Sequence, residues 1–157
     1  MFYFCYSSAL DREATALWAR DHGYPDFSLT SGQKARLAGF SLVADWPSNY
    51  WGGRVLSLRL DPGSSVEGIL FELPDAWQQA VRHKEGVVTG VALEMESAVQ
   101  LNSVNSSGES ASVVAKVYVV HPQRKSLVGP KSERYFKILE SAYRMWGLST
   151  EALSSLT

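Results

Sequence analysis

The sequence has few of the residues that metal sites and disulfide frameworks require. It contains one cysteine, Cys5, which excludes an internal disulfide and leaves too few thiolates for a metal cluster. Its three histidines lie far apart in the chain, without the spacing of metal ligands. We therefore expect no metal site.

Long apolar runs and an excess of one charge are also missing. No segment approaches the roughly 18 apolar residues of a membrane span. The apolar start at residues 1–6 is short and lacks a basic beginning, so we do not expect a signal peptide. A net charge of −1 gives no electrostatic reason to expect nucleic-acid binding. We expect a cytoplasmic protein that binds neither membrane nor nucleic acid.

The length of 157 residues fits one domain that spans residues 1–157. Apolar runs and alternating patterns predict strands at residues 1–6, 33–44, 54–60, 66–73, 87–101 and 112–120. Helical periodicity predicts helices at residues 10–21, 74–85 and 132–147, the last of them closing the chain. Hairpins dominate this order, which favours an α+β fold with a mainly antiparallel, barrel-like sheet and a few packed helices.

Two predicted connections make the sheet pattern specific. Asp61-Pro62-Gly63 is typical of a turn, so we expect segments 54–60 and 66–73 to pair as a hairpin. The polar, Gly/Ser-rich segment 102–110 is expected to connect a second hairpin. Residues 45–53 are expected to form an aromatic loop.

Glu85 is the candidate acid or base in the 74–85 helix. Trp77, Val81 and Glu85 are four residues apart and share one helix face, and two of them are apolar. That face is expected to turn toward the core, so that burial and the negative end of the helix dipole raise the pKa of Glu85. The alternative is that Glu85 turns to solvent or pairs with Arg82 or Lys84.

The turn between the first strand and the first helix is a candidate anion site. Small polar residues, Ser7 and Ser8, separate the strand from the helix, and such a turn leaves backbone N–H groups free to receive a carboxylate or another oxyanion. An ordinary strand-to-helix loop is the alternative. In the predicted helix that follows, Leu10, Ala14 and Leu17 are expected to share the core-facing side with Trp18.

Six segments occur in the order and spacing of one known family. They are residues 6–10 (YSSAL) for its Y-G-S-N-L loop, 35–40 for A-R-L-x-x-F, 51–53 for W-G-G, 66–73 for V-x-G-x-x-x-x-L, 85–90 for E-G-V-x-x-G, and 132–135 with 147–148 for S-x-x-Y and G-L. Over nearly its whole length the chain therefore resembles the γ-glutamylcyclotransferase family, as a divergent, BtrG-like member.

The resemblance implies an enzyme that cleaves a C–N bond, of lyase or acyltransferase type. It would release 5-oxoproline from a γ-glutamyl amino acid or amine, with Glu85 as proton shuttle and no cofactor. The implied substrate-binding residues are Tyr6, Ser7, Ser8, Ala9, Leu10 and Tyr135. The implied partner is a small γ-glutamyl molecule, and a homodimer is left open.

The chain departs from the family pattern at four positions. Ser7 stands at the loop glycine, and it would strain or bend the loop if that glycine serves a positive φ. Ala9 stands at the loop asparagine and loses its hydrogen bonds. Arg82 brings a positive charge near Glu85, which would lower the pKa of that carboxyl. Ala92 replaces a tyrosine and would widen one wall of the pocket.

These departures keep two further hypotheses open. One is a non-catalytic binding or regulatory module that retains the fold and the pocket. The other is an enzyme that removes a γ-glutamyl group from a carrier-linked or modified amine. The loop at residues 51–53 is a candidate pocket wall, with plain packing as its alternative.

Overall fold

Five strands close into a barrel in this computed structural model, which describes residues 1–104 and 106–156. The strands are β1 (Phe2–Cys5), β2 (Gly32–Ser48), β3 (Gly53–Glu72), β4 (Ala92–Val104) and β5 (Ser110–Val120). Their order around the barrel is β1-β3-β2-β4-β5, and every pairing is antiparallel except β1 with β5. The predicted α+β fold with a barrel-like mixed sheet is confirmed.

The described residues also form four α-helices and three 3₁₀ turns. The helices are α1 (Arg12–Asp21), α2 (Gln78–Lys84), α3 (Glu133–Trp146) and α4 (Glu151–Ser154). The 3₁₀ turns are Ser8–Leu10, Asp75–Trp77 and Pro122–Arg124. No helix among the described residues is long and apolar enough to span a membrane.

Local sequence signals fix the ends of α3. The Ser132 hydroxyl accepts a hydrogen bond from the Tyr135 amide at 3.2 Å, as an N-cap does. Gly147 adopts a left-handed φ of 68°, which a side chain would disfavour, and it ends the helix. Leu139 and Tyr143 of α3 join the same buried cluster as the barrel strands, and each such apolar side chain contributes about 1.5–3 kcal/mol.

The predicted hairpin of segments 54–60 and 66–73 is wrong. Both segments belong to β3, and both pair with the long strand β2 instead of with each other. Residues 61–64 form a bulge opposite Gly39, whose φ of 83° suits only glycine. Pro62 cannot donate a ladder hydrogen bond, which suits a bulge, and the strand continues past it without reversing direction.

Two smaller expectations also differ from the structure, and a third agrees with it. Residues 45–48 extend β2, so the loop predicted at 45–53 is shorter. The helix at 132–147 is not the last, because α4 follows it. The 102–110 segment does connect the antiparallel pair β4 and β5, although Asn105 lies outside the described residues.

The core-facing side of α1 is not the predicted one. Thr15 and Ala19 are fully buried, whereas Leu17 is 54% exposed. Ala14 and Trp18, expected in the core with Leu17, instead line a cavity together with it. An apolar residue beside a ligand cavity and an apolar residue in a core give the same sequence signal, so periodicity could not separate them.

Candidate active site

A cavity of about 540 Å³ opens between the barrel and the helices. Its wall includes the turn after β1, the exposed face of α1 and the residues that follow α2. The remaining wall comes from the ends of β2 and β5, from the start of α3 and from the loop before β3. Such a mixed, largely apolar concavity with a few polar groups is the usual form of a small-molecule site.

Glu85 lies at the end of α2 with its carboxylate turned into this cavity wall. Its amide closes the helix by donating to the carbonyl of Val81, which is 1% exposed. Its Oε1 accepts a hydrogen bond from the Tyr3 hydroxyl at 2.5 Å. Arg82 pairs with Glu94 at 3.8 Å and not with Glu85. The inward orientation follows from the spacing of Val81 and Glu85 along one helix face.

The pKa of Glu85 is raised above that of an ordinary glutamate. Burial is the largest cause, because the charged form loses water. The Tyr3 hydrogen bond and the positive charge of Lys84 act in the opposite direction, and burial outweighs them. Glu85 is therefore a carboxyl that takes up and gives away a proton more readily near neutral pH.

Four tyrosine hydroxyl groups lie near enough to Glu85 to be influenced by its charge, and that of Tyr3 contacts it directly. Burial raises the pKa of Tyr3, Tyr6, Tyr118 and Tyr135, and in each case the nearby negative charge of Glu85 adds to the rise. Each phenol therefore stays protonated and neutral, and its hydroxyl can donate or accept a hydrogen bond. Glu85 lies near these neutral hydroxyl groups, while the charged residues Asp21 and Lys84 also line the cavity.

The turn after β1 forms part of the cavity wall, with the Ser7 amide near the Cys5 thiol and the Ser8 amide near the Tyr135 hydroxyl. Ser7, Ser8 and Ala9 line the cavity, and within residues 1–104 and 106–156 their amides donate to no backbone carbonyl. Ser7 has a φ of −104°, so no positive φ is needed there and the strain expected from replacing glycine does not arise. Leu10 differs, because its side chain is fully buried in the core, outside the cavity lining, and its amide donates to the Ser7 carbonyl.

Side chains from two helices hold this turn by its carbonyl groups. The Tyr143 hydroxyl donates to the Tyr6 carbonyl at 2.8 Å, and the Thr15 hydroxyl donates to the Ala9 carbonyl at 2.9 Å. The Trp146 indole N–H donates to the carbonyl of the residue after Ala9 at 2.9 Å. These three donors fix the carbonyl groups of the turn in place.

The two tyrosines predicted as substrate contacts occupy different places. Tyr6 lines the cavity with its ring, but its hydroxyl donates to the Tyr118 carbonyl at 2.8 Å and is thus occupied. Tyr135 is 2% exposed and faces Ser8, whose N–H and hydroxyl lower the pKa of Tyr135 while burial raises it more strongly. Glu85, Ser8 and Tyr135 therefore lie around the same part of the cavity.

The Trp51-Gly52-Gly53 segment has two separate roles. Trp51 lines the cavity, and its ring packs edge-on against Tyr135 with 5.2 Å between centroids. Gly53 makes room for protein backbone, since a Cβ there would lie 2.8 Å from the Ser132 nitrogen. Ala92 also lines the cavity, and its small side chain leaves space there.

Sequence reasoning missed the residues that support the site. Tyr3 lies 82 positions from Glu85, and nothing local in the sequence links them. The sequence offers one weak signal for the other supporting residues, a polar atom on a side chain that faces the core. These residues are Thr15, Tyr143 and Trp146. A buried hydroxyl or indole N–H normally finds an acceptor, so each of them implied a nearby carbonyl.

Comparisons with known proteins identify the fold. No protein-family model and no curated protein matches the chain. Among solved structures, one described as a gamma-glutamyl cyclotransferase matches with a TM-score of 0.75 and 22% identity, covering 99% of this chain and 87% of that one. YkqA from Bacillus subtilis matches with a TM-score of 0.72 and 19% identity, covering 98% and 51%.

A third structure, a glutathione-specific cyclotransferase from yeast, matches with a TM-score of 0.57 and 16% identity, covering 94% of this chain and 90% of that one. At these identities the similarity establishes architecture and not chemistry. The chain has the γ-glutamylcyclotransferase fold.

Proposed function

We propose that the protein is a γ-glutamylcyclotransferase, which releases 5-oxoproline from a γ-glutamyl amide and uses Glu85 as the proton shuttle. One observation supports this most strongly. Glu85, a carboxyl group with a raised pKa, lies in the wall of a cavity that is also lined by the turn at Ser7, Ser8 and Ala9 and by Tyr135. We further propose that residues 1–157 form one domain with this activity.

The proposed reaction is an intramolecular acyl transfer. The α-ammonium group of the substrate gives a proton to the Glu85 carboxylate, and the free amine attacks the γ-carbonyl carbon. A new C–N bond closes the five-membered ring, and the original amide C–N bond breaks. After ring closure the attacking nitrogen loses a second proton. Glu85 relays the two protons in turn to the departing nitrogen, which leaves as an ammonium ion, so the carboxylate is regenerated and atoms and charges balance.

The turn at residues 6–10 is the proposed cradle for the γ-glutamyl group. The amides of Ser7, Ser8 and Ala9 can donate to the substrate's carboxylate or to the oxygen that becomes negative during attack. Tyr135 contributes a neutral phenol beside Ser8. Holding the substrate in a folded conformer close to the ring-closing geometry supplies the remaining acceleration through proximity.

The test is 5-oxoproline release from a panel of γ-glutamyl amino acids and amines. We expect release by the wild-type protein and a loss of about 100-fold or more in Glu85→Gln, which keeps the shape but cannot carry the proton. Glu67→Gln is the matched control, because Glu67 pairs with Arg36 on the barrel surface and does not line the cavity. Release that survives in Glu85→Gln would refute the proton shuttle.

A non-catalytic binding module is the second candidate. The changes at Ser7 and Ala9 favour it, since the turn differs from the family's loop while the cavity persists. A folded wild-type protein that binds γ-glutamyl amides in calorimetry, yet releases no 5-oxoproline from any of them, would select this function over the enzyme.

A further inference from the structure

Lys84 is a positive charge in the cavity wall without an ion pair. It lines the cavity, and its ammonium lies 5.2 Å from the centre of the Trp18 ring. Among the described residues no carboxylate oxygen lies within 4.0 Å of Lys84 Nζ, and no hydrogen bond is assigned to it. Cation–π contact holds the ammonium in place but leaves its donors unused.

The burial of Lys84 is not offset by an ion pair. Loss of water lowers the pKa of Lys84, and the negative charges of Glu85 and Asp11 only partly compensate. A half-buried cation of this kind costs folding free energy, which an anion of the protein would normally offset. Since the described residues place no such anion in contact, a ligand is the natural candidate.

The position of Lys84 fits one part of the substrate that the proposed function leaves undefined. In a γ-glutamyl amino acid, the carboxylate of the departing amino acid lies two bonds from the nitrogen that leaves. Glu85 must reach that nitrogen, so a receptor for the carboxylate must lie beside Glu85. Lys84 is its chain neighbour, and the two charges act on each other.

We propose that Lys84 binds a carboxylate on the leaving amine, so that the enzyme selects γ-glutamyl amino acids or peptides over γ-glutamyl derivatives of simple amines. This inference rests on the proposed cyclotransferase function. The γ-glutamyl group's own carboxylate is assigned to the amides of the 6–10 turn, which leaves Lys84 for the second carboxylate. Both anionic ends of the substrate then have a donor, and each lies on a different element.

Apolar positions in the cavity wall suit an apolar side chain on the leaving amino acid. They include Leu17, Trp46, Leu56, Val91, Val120 and Ile138, whereas Asp21, Ser48 and Thr89 are polar positions of the same wall. A phenyl group is therefore a suitable probe, because it fills this space equally in compounds that differ only in the carboxylate.

The experiment compares γ-glutamylphenylalanine with γ-glutamylphenethylamide, which lacks only the second carboxylate. The measured quantity is the ratio of the two kcat/KM values, which does not depend on the active fraction of a preparation. A hydrogen-bonded charge pair corresponds to a ratio of about 10 or more in the wild type. We expect a ratio near one in Lys84→Met, and a ratio close to the wild-type value in Lys84→Arg.

Lys137→Met is the matched control, because Lys137 is exposed on α3 outside the cavity. A wild-type ratio near one, or a high ratio that persists in Lys84→Met, would overturn the assignment. A role of Lys84 through the pKa of Glu85 alone would change both substrates equally and leave the ratio unaltered, which would also overturn it.

Binding separates failure of this inference from failure of the reaction. Calorimetry on Glu85→Gln, with and without Lys84→Met, gives the affinity ratio of the same two compounds without turnover. An affinity ratio of about 10 that Lys84→Met removes supports the carboxylate site even if no 5-oxoproline forms. Equal affinities would refute the site whatever the turnover assay shows.

Discussion

The hydrogen bond between Tyr3 and Glu85 gives the sharpest prediction of how the site titrates. Tyr3→Phe removes the hydroxyl that donates to Glu85 Oε1 at 2.5 Å, and it keeps the ring that packs against Phe71 at 6.0 Å and Tyr118 at 5.8 Å. This hydrogen bond favours the charged carboxylate, and burial opposes it. The variant therefore raises the pKa of Glu85 further above that of an ordinary glutamate.

The size of the effect follows from the kind of bond that is lost. A hydrogen bond to a charged group contributes about 1.5–3 kcal/mol, which corresponds to a factor of about 10–150 in the equilibrium between ionised and protonated Glu85. Glu85 must be ionised to accept the substrate's proton. On the acidic limb of the pH profile, kcat/KM of Tyr3→Phe should fall by this factor, while the loss at higher pH should be smaller.

The assay is 5-oxoproline release measured as a function of pH for both proteins. The acidic limb of the kcat/KM profile should move to higher pH in Tyr3→Phe. Tyr24→Phe is the control, because the Tyr24 hydroxyl faces His83 Nδ1 at 3.3 Å and does not contact Glu85. An acidic limb that stays in place, or that moves to lower pH, would refute the argument that Tyr3 sets the ionisation of Glu85.

Three further predictions concern stability. The pKa of Glu85 is raised in the folded state, so its contribution to stability is full at low pH and is lost as pH rises through that pKa. The free energy of unfolding of Glu85→Gln should therefore increase relative to that of the wild type as pH rises. Thr15→Val leaves a buried loop carbonyl without its donor and should cost about 1–3 kcal/mol in urea unfolding, whereas Thr30→Val on the surface should cost little. Gly53→Ala should destabilise by about 1–3 kcal/mol because its Cβ would meet backbone at 2.8 Å, while Gly63→Ala points into open space and should be nearly neutral.

Each of these has a clear contrary result. A stability difference between Glu85→Gln and wild type that does not change with pH would contradict the raised pKa. Equal urea midpoints for the two threonine variants would show that the loop carbonyl does not depend on Thr15. Equal losses for the two alanine variants would show that backbone proximity at Gly53 is unimportant.

Local sequence patterns were sufficient to predict the helices and strands that bury one regular face. The stripe of α3 and the β-branched run of β5 could be identified because period and capping agree there. Helix spacing also oriented Glu85, since Val81 fixes the inward face one turn earlier. These are local relations, and the resemblance added the association of Glu85 with Tyr135 and the 6–10 turn.

The sequence pattern could not predict contacts between residues that are far apart in the chain. The bulge at 61–64 has the residue types of a reversing turn. Only the pairing of β2 with β3 on both sides of the bulge shows that β3 continues. Leu17 looked like a core residue because apolar character does not reveal whether the neighbour is protein or an open cavity. The support given by Thr15 depends on which carbonyl reaches it after folding, so no spacing rule could supply it.

The support of the 6–10 turn from behind has a consequence for how its sequence can change over time. Its shape depends on hydroxyl and indole donors of Thr15, Tyr143 and Trp146, and the amides that face the cavity are common to every residue except proline. The side chains of Ser7 and Ala9 can therefore drift while the pattern of donors stays the same. A search for such a site by the letters of its loop alone therefore overlooks any chain that keeps the donors but differs in these side chains.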